Sequence, residues 1–179
     1  MDANGSNPMQ LTTGDGEATP FISSDGRWVY YTKYSTAHPA IEKISIDGGE
    51  AAMVPNVYAS SDPVISPDGR QIAYEHYDDA NGWHTALMRA EGNYAPKLLS
   101  FHAFRGAVRW AHDGQALIYA DAHEPDNLWR QPLTGNARKQ FTFFKEAHIA
   151  YFDISQDGKQ LAVARGDVYS DDVLITNFR

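Results

Sequence analysis

Four Asp-Gly pairs recur along the chain at almost constant spacing, and this repeat constrains the fold more than any other feature. Successive aspartates lie 43, 45 and 44 residues apart. A period of about 40–45 residues is typical of one four-stranded blade of a β-propeller. The spacing therefore predicts one structural unit used four times. The pairs are Asp25-Gly26, Asp68-Gly69, Asp113-Gly114 and Asp157-Gly158.

The positions around each pair repeat as well. The residue three before the aspartate and the residues four and six after it are apolar or aromatic in every copy, as with Ile65, Ile72 and Tyr74 in the second. The flanking segments are rich in β-branched and aromatic residues, which favours strands. In Ser66-Pro67-Asp68-Gly69 the proline presets φ and the glycine accepts a positive φ. Each pair therefore predicts a tight turn between two antiparallel strands.

The sequence predicts an all-β protein, a β-propeller of four four-stranded antiparallel blades in one domain. The blades form either a closed four-bladed ring or an arc of a larger propeller. We expect Met9–Thr13 to supply the outer strand of the last blade by pairing with Val173–Thr176. The predicted limits are 1–13 for that outer strand, 14–56, 57–101 and 102–145 for the first three blades, and 146–179 for the first three strands of the fourth.

Composition excludes several classes of function. The formal net charge of −8 argues against nucleic-acid binding, which needs a basic surface. No apolar run approaches the roughly 18–20 residues of a membrane span, so we expect no membrane contact by this segment. The chain has no cysteine and needs no disulfide. Neither a cofactor nor a metal is predicted.

The repeats carry a family resemblance. Ile65–Tyr74 and Phe152–Ala162 resemble the WD40-like, or PD40, repeat of TolB-type propellers, and Asn127–Gly135 resembles that family's third strand and following turn. The tail from Ala164 to Arg179 is similar to the ends of propellers appended to bacterial serine/threonine kinases or winged-helix regulators. The resemblance implies a periplasmic or other extracytoplasmic β-propeller that binds a protein partner or a small ligand.

The resemblance leaves two functional classes open. The chain contains no Gly-x-Ser-x-Gly and no His-Glu-x-x-His motif, so we expect a non-enzymatic scaffold or sensor segment without catalytic residues. The alternative is the propeller part of an enzyme. Similar repeats occur in the gating domains of prolyl-oligopeptidase-like serine peptidases and in oligogalacturonate lyases, which have a metal in the channel. A homodimer that completes a larger ring is a further prediction.

Candidate binding residues are predicted at one rim of the propeller. Glu17, Ser60 and Arg105 share a register eight residues before the aspartate of their repeats, and they differ from blade to blade. Loops on a rigid scaffold carry function more often than the framework does. His148 falls near the start of an inner strand. Trp83 falls with Tyr77 in a long loop, where an exposed aromatic side chain would serve as an interaction anchor.

Three further groups are interpreted as structural. His76, Asp78, Asp79 and His84 could ligate a metal, but the polarity of the segment and its Asn81-Gly82 turn signal are those of a solvated loop. Arg109 and Asp153 occupy equivalent positions in adjacent blades, which predicts an ion pair. Three tryptophans are predicted on strands that pack blade against blade: Trp28, Trp110 and Trp129.

Overall fold

The protein is all-β in its computed structural model, and no helix occurs in the ranges that the structure describes. Fourteen strands in those ranges form four antiparallel sheets, which confirms the predicted fold class. We number the sheets blades 1 to 4 in chain order. The described residues are 4–14, 16–34, 39–54, 63–78, 80, 82–91, 94–101, 103, 108–121, 126–155 and 157–167.

The strands of each blade follow one another in space as they do in sequence. In blades 1 to 3 the second and third strands each pair with a neighbour on both sides, so these three sheets are simple meanders. Blade 1 comprises β1 (Glu17–Ile22), β2 (Trp28–Lys33), β3 (Ala40–Ser45) and β4 (Ala52–Met53). Blade 2 comprises β5 (Val64–Ile65), β6 (Gln71–Asp78), β7 (Gly82–Arg89) and β8 (Lys97–Leu98). Blade 3 comprises β9 (Val108–Trp110), β10 (Ala116–Asp121), β11 (Asn127–Pro132) and β12 (Lys139–Gln140), and blade 4 shows β13 (His148–Ile154) and β14 (Leu161–Gly166).

The Asp-Gly turns have the predicted geometry. Gly69 has a φ of +72°, and its N–H donates to the Ser66 carbonyl at 2.8 Å. The Ser66 hydroxyl donates to Asp68 Oδ1 at 2.5 Å and accepts from the Gln71 N–H at 2.9 Å. The same serine-aspartate arrangement occurs in blades 1 and 4. The side chains of the turn therefore bond backbone groups that the hairpin leaves unpaired.

The core lies between successive blades. One face of blade 2, carrying Ile72 and Tyr74, packs against Tyr30 and Ile41 of blade 1. Blades 2 and 3, and blades 3 and 4, meet through corresponding clusters. Trp110 lies in such a cluster, and its indole N–H donates to the Val64 carbonyl at 3.0 Å. Trp28 and Trp129 pack against these clusters too, which confirms the predicted packing role of all three tryptophans.

The inner strands of neighbouring blades also contact each other. Arg109 Nε lies 3.2 Å from Asp153 Oδ1, which confirms the predicted ion pair between blades 3 and 4. In the described part of the chain the four sheets are not closed into a ring. This arrangement is consistent with an arc of a larger propeller, one of the two alternatives that the sequence allows. Met9–Thr13 belong to no strand there. Their predicted partner, Val173–Thr176, lies outside the described residues, so the pairing and the blade limits stay predictions.

One local prediction was wrong. Tyr77 and Trp83 do not lie in a loop, because β6 and β7 are each eight residues long and pair up to Asp78 and Gly82. His76 and His84 are likewise strand residues that face each other across the hairpin. Only three residues separate the two strands, and β7 begins at Gly82 with a φ of +81°, so the connection between β6 and β7 is short.

Candidate functional site

Strand direction places the candidate residues at one end of the sheets. The Asp-Gly turns join first and second strands, so they define one rim, which we name the turn rim. At the opposite rim, the loop rim, each first strand begins, each second strand ends and each third strand begins. Glu17 and His148 are the first residues of β1 and β13, and Trp83 is the second residue of β7. These three lie on the loop rim of three different blades, whereas Ser60 and Arg105 lie outside the described residues.

The hairpin of blade 2 carries an exposed aromatic pair at the loop rim. Tyr77 and Trp83 are direct cross-strand partners, with ring centroids 4.9 Å apart and ring planes at 60°. Their side chains remain 47% and 45% exposed. The second and third strands of blades 1 and 3 have six residues each, against eight in β6 and β7. The pair therefore lies on the extended part of this hairpin.

Glu17 is engaged within its own blade. Its carboxylate forms an ion pair with Lys33, its partner in the register of β1 and β2, and both side chains are largely buried. The hydrogen bond from Lys33 lowers the pKa of Glu17. The carboxylate therefore stays ionised in ordinary buffers and holds the start of β1 against β2. Any ligand that used Glu17 would have to compete with Lys33 for this carboxylate.

His148 lies against a buried carboxylate of the neighbouring blade. Its Nδ1 is 3.3 Å from Oδ2 of Asp126, which is only 1% exposed and also accepts the Ile149 N–H at 3.0 Å. The imidazole itself is about half exposed. Asp126 thus joins blade 3 to blade 4 and orients His148 at the loop rim, where the ring can hydrogen-bond a ligand.

The turn rim has shallow grooves instead. A groove of about 260 Å³ between blades 1 and 2 is lined by Trp28, Lys43 and the serine and aspartate of the first turn, among others. The Lys43 ammonium lies 5.1 Å above the Trp28 ring centroid. Ser23 and Asp25 in this groove bond each other and the backbone, so these groups already have structural partners. We therefore assign the groove no ligand.

Sequence reasoning missed Asp126 and the pairing of His76 with His84. Asp126 precedes a strand and has no motif around it, and only its contact with the next blade reveals its burial. The two histidines are eight residues apart in a stretch that reads as polar loop. The aromatic residues Tyr74 and Tyr77, which favour strands, were the local signal that the strand continues. No helix in the described ranges is long and apolar enough to cross a membrane.

Comparisons with known proteins agree with this architecture. The chain is 26% identical over 131 residues to an uncharacterized protein of Agrobacterium fabrum, covering 66% of the chain and 45% of that relative. It is 37% identical over 57 residues to the Tol-Pal system protein TolB of Francisella tularensis, covering 31% of the chain and 13% of TolB. The chain thus spans less than half the length of these relatives. No protein-family model matches the sequence.

Solved structures define the class of protein as a β-propeller. Crystalline TolB of Acinetobacter baumannii superposes with a TM-score of 0.79 at 22% identity, over 90% of this chain and 41% of TolB. A putative TolB of Agrobacterium tumefaciens gives a TM-score of 0.66 at 19% identity, over 83% of this chain and 57% of that protein. The fold is that of the TolB-type propellers, as the repeats predicted.

Enzyme-associated propellers share the fold more distantly. An acylaminoacyl peptidase gives a TM-score of 0.53 at 12% identity, over 81% of this chain and 27% of the peptidase. An oligogalacturonate lyase solved with manganese gives 0.50 at 15% identity, over 88% of this chain and 61% of the lyase. These similarities concern the fold alone, so activity must be argued from the chain's own residues.

Proposed function

We propose that this chain is a non-enzymatic, TolB-like propeller segment that docks a protein partner on its loop rim. The exposed Tyr77–Trp83 pair carries the proposal, because large aromatic side chains dominate the energetics of protein interfaces. Glu17 and His148 add polar groups along the same rim, and Ser60 and Arg105 share the register of Glu17. A small ligand at this rim is the variant of the proposal that we rank second.

Charge and compartment refine the choice of partner. The net charge of −8 favours a partner with a neutral or basic surface over a nucleic acid. By analogy with TolB, we propose an extracytoplasmic, periplasmic location. A chain of this kind would form the docking or sensing portion of a longer bacterial protein.

Site-specific photo-crosslinking in cells that express the protein tests whether a partner binds at the loop rim. A photoreactive amino acid at position 83 is expected to capture one partner protein. The same amino acid at position 159 reports on the turn rim, where Lys159 is strongly exposed, and is expected to capture none. Capture from both positions, or from neither, would contradict a partner bound at the loop rim.

Binding of the purified partner then measures the role of the aromatic pair. Trp83→Ala is expected to weaken binding by about 2 kcal/mol, or about thirtyfold, as is usual for an aromatic anchor. Leu98→Ala serves as the matched control, because Leu98 is a similarly exposed apolar residue on the outer strand of the same blade. An unchanged dissociation constant for Trp83→Ala would remove the observation on which the proposal rests.

The second candidate function is the propeller part of an enzyme, favoured by the similarity to the peptidase and lyase propellers. The parent reading frame discriminates between the candidates. A hydrolase domain encoded beside the propeller would support a gating role. A kinase or DNA-binding domain would support a sensor.

A further inference from the structure

Among the described side chains, three buried nitrogen or oxygen atoms have no hydrogen-bond partner, and all three belong to blade 2. They are the Tyr74 hydroxyl, His76 Nδ1 and His84 Nε2. Burying polar atoms without partners costs free energy, so native structures rarely leave several together unless something else pairs with them. Their grouping on one blade points to a bound species.

Register brings the three side chains to one place. His76 and His84 are direct cross-strand partners in β6 and β7, so they share one face of the sheet. Tyr74 lies two residues before His76 on the same face, and the two rings meet edge to face with centroids 5.9 Å apart. This face packs against blade 1 through Tyr74 and Ile72, which are fully buried, whereas His76 and His84 are partly buried and only the nitrogen atoms named above are out of reach of solvent.

In the neighbouring blades, the tyrosine equivalent to Tyr74 has a hydrogen-bond partner. Tyr31 and Tyr119 occupy the register of Tyr74, six residues after the aspartate of their repeats. The Tyr31 hydroxyl donates to Glu42 at 2.7 Å, and the Tyr119 hydroxyl accepts from Arg138 at 2.8 Å. Strand pairing places Ala86 of blade 2 in the position of Glu42. Blade 2 therefore lacks the carboxylate that accepts the hydrogen bond of the tyrosine hydroxyl in blade 1.

The histidines also replace residues that have protein partners elsewhere. In blade 1 the register of His76 is held by Lys33, which pairs with Glu17. In blade 3 the register of His84 is held by Asn127, which bonds the backbone of Phe144. At these two positions the other blades have side chains with partners inside the protein, whereas blade 2 has two imidazoles, each with one buried nitrogen that has no partner.

We propose that His76 and His84 bind a divalent transition-metal ion of the zinc type between blades 1 and 2. A neutral imidazole can carry its proton on one nitrogen and offer the other as a ligand, and imidazole suits zinc, copper and nickel. The Tyr74 hydroxyl would bond a water on the metal, as a supporting group that orients the ligands. The described residues hold no cluster of three histidine, cysteine or carboxylate ligands, so water completes the coordination.

Titration of the purified 179-residue chain with Zn²⁺ alone tests the site. The expected result is one saturable site per chain, lost in His76→Leu and in His84→Leu. Tyr74→Phe is expected to weaken it about tenfold, as for other supporting residues. His112→Ala, an exposed histidine on the turn rim, is the matched control and is expected to bind as the unaltered chain does. Binding that survives both leucine variants overturns the proposal.

Two further measurements keep the test decisive. Nitrogen-15 spectra of the imidazoles should shift at His76 Nδ1 and His84 Nε2 on addition of Zn²⁺, and a shift confined to other histidines contradicts the site. Zn²⁺ should raise the melting temperature of the unaltered chain by mass action but not that of the folded leucine variants. If Zn²⁺ raises no melting temperature and the leucine variants melt lower, buried water satisfies these atoms and the metal site is wrong. Neither measurement uses the docking partner, so the outcome is independent of the proposed function.

Discussion

At the scale of single residues, the serine two positions before the aspartate controls the charge of the turn. The Ser23 hydroxyl, and after it the Arg27 N–H and guanidinium, lower the pKa of Asp25 from 3.8 to about 2. The hydroxyls of Ser66 and Ser155 lower the pKa values of Asp68 and Asp157 in the same direction. A hydrogen bond to the ionised form favours that form, so these turns are built around carboxylates.

Removal of the serine hydroxyl should therefore be visible in the titration of Asp25. In Ser23→Ala we expect the pKa of Asp25 to rise from about 2 towards 3.8. Because the folded-state pKa lies below the unfolded one, the stabilisation is complete above about pH 4 and is lost as the pH falls to about 2. A carbon-13 titration of the side-chain carboxyls measures the change. The Asp157 carboxyl in the same sample is the internal control, and an unmoved Asp25 titration would contradict the role of Ser23.

At the scale of elements, the blades are joined where one Asp-Gly turn packs on the next. A methyl group on Gly158 would lie 2.9 Å from Cβ of His112 in the preceding turn, whereas one on Gly26 would meet nothing within 4 Å. Both glycines have a φ of +69°. The backbone requirement is thus the same at the two turns, and only the packing between turns differs.

This pair of glycines separates backbone strain from steric contact. Gly26→Ala is expected to cost about 1–2 kcal/mol, the penalty of a left-handed conformation for an L-residue. Gly158→Ala should cost more than that, because His112 must also move. Urea denaturation of both variants gives the difference in the free energy of unfolding. Equal losses would show that the turns of blades 3 and 4 are not in close contact.

At the scale of the whole molecule, the four described sheets are held together between blades rather than around one central core. Apolar clusters lie at each of the three junctions, and polar bridges add to them at Trp110–Val64, Arg109–Asp153 and Asp126–Ile149. Repeats of this kind are stabilised mainly by contacts with their neighbours. The homodimer that would complete a larger ring stays a prediction.

Loss of one junction should therefore weaken the entire chain. Trp110→Phe removes the indole bond to Val64 and part of the buried ring, at an expected cost of about 1–3 kcal/mol. Thermal unfolding followed by circular dichroism measures the effect. Trp28→Phe is the control, since Trp28 is only partly buried against its cluster, and it should cost less. If the two variants lose equal stability, the bond between blades 2 and 3 contributes little.

The sequence by itself determined the period, the turns, the order of the strands and the class of fold. Those features depend on residues close together in the chain, such as Pro67, Asp68 and Gly69 in one turn, so a short stretch of sequence is enough to predict them. Only the tertiary structure decided which polar groups are buried and paired. His76 meets His84 through the register of a hairpin longer than expected, and Asp126 contacts His148 across the junction of blades 3 and 4. Burial and contact across sheets depend on how distant segments pack, which no local pattern encodes.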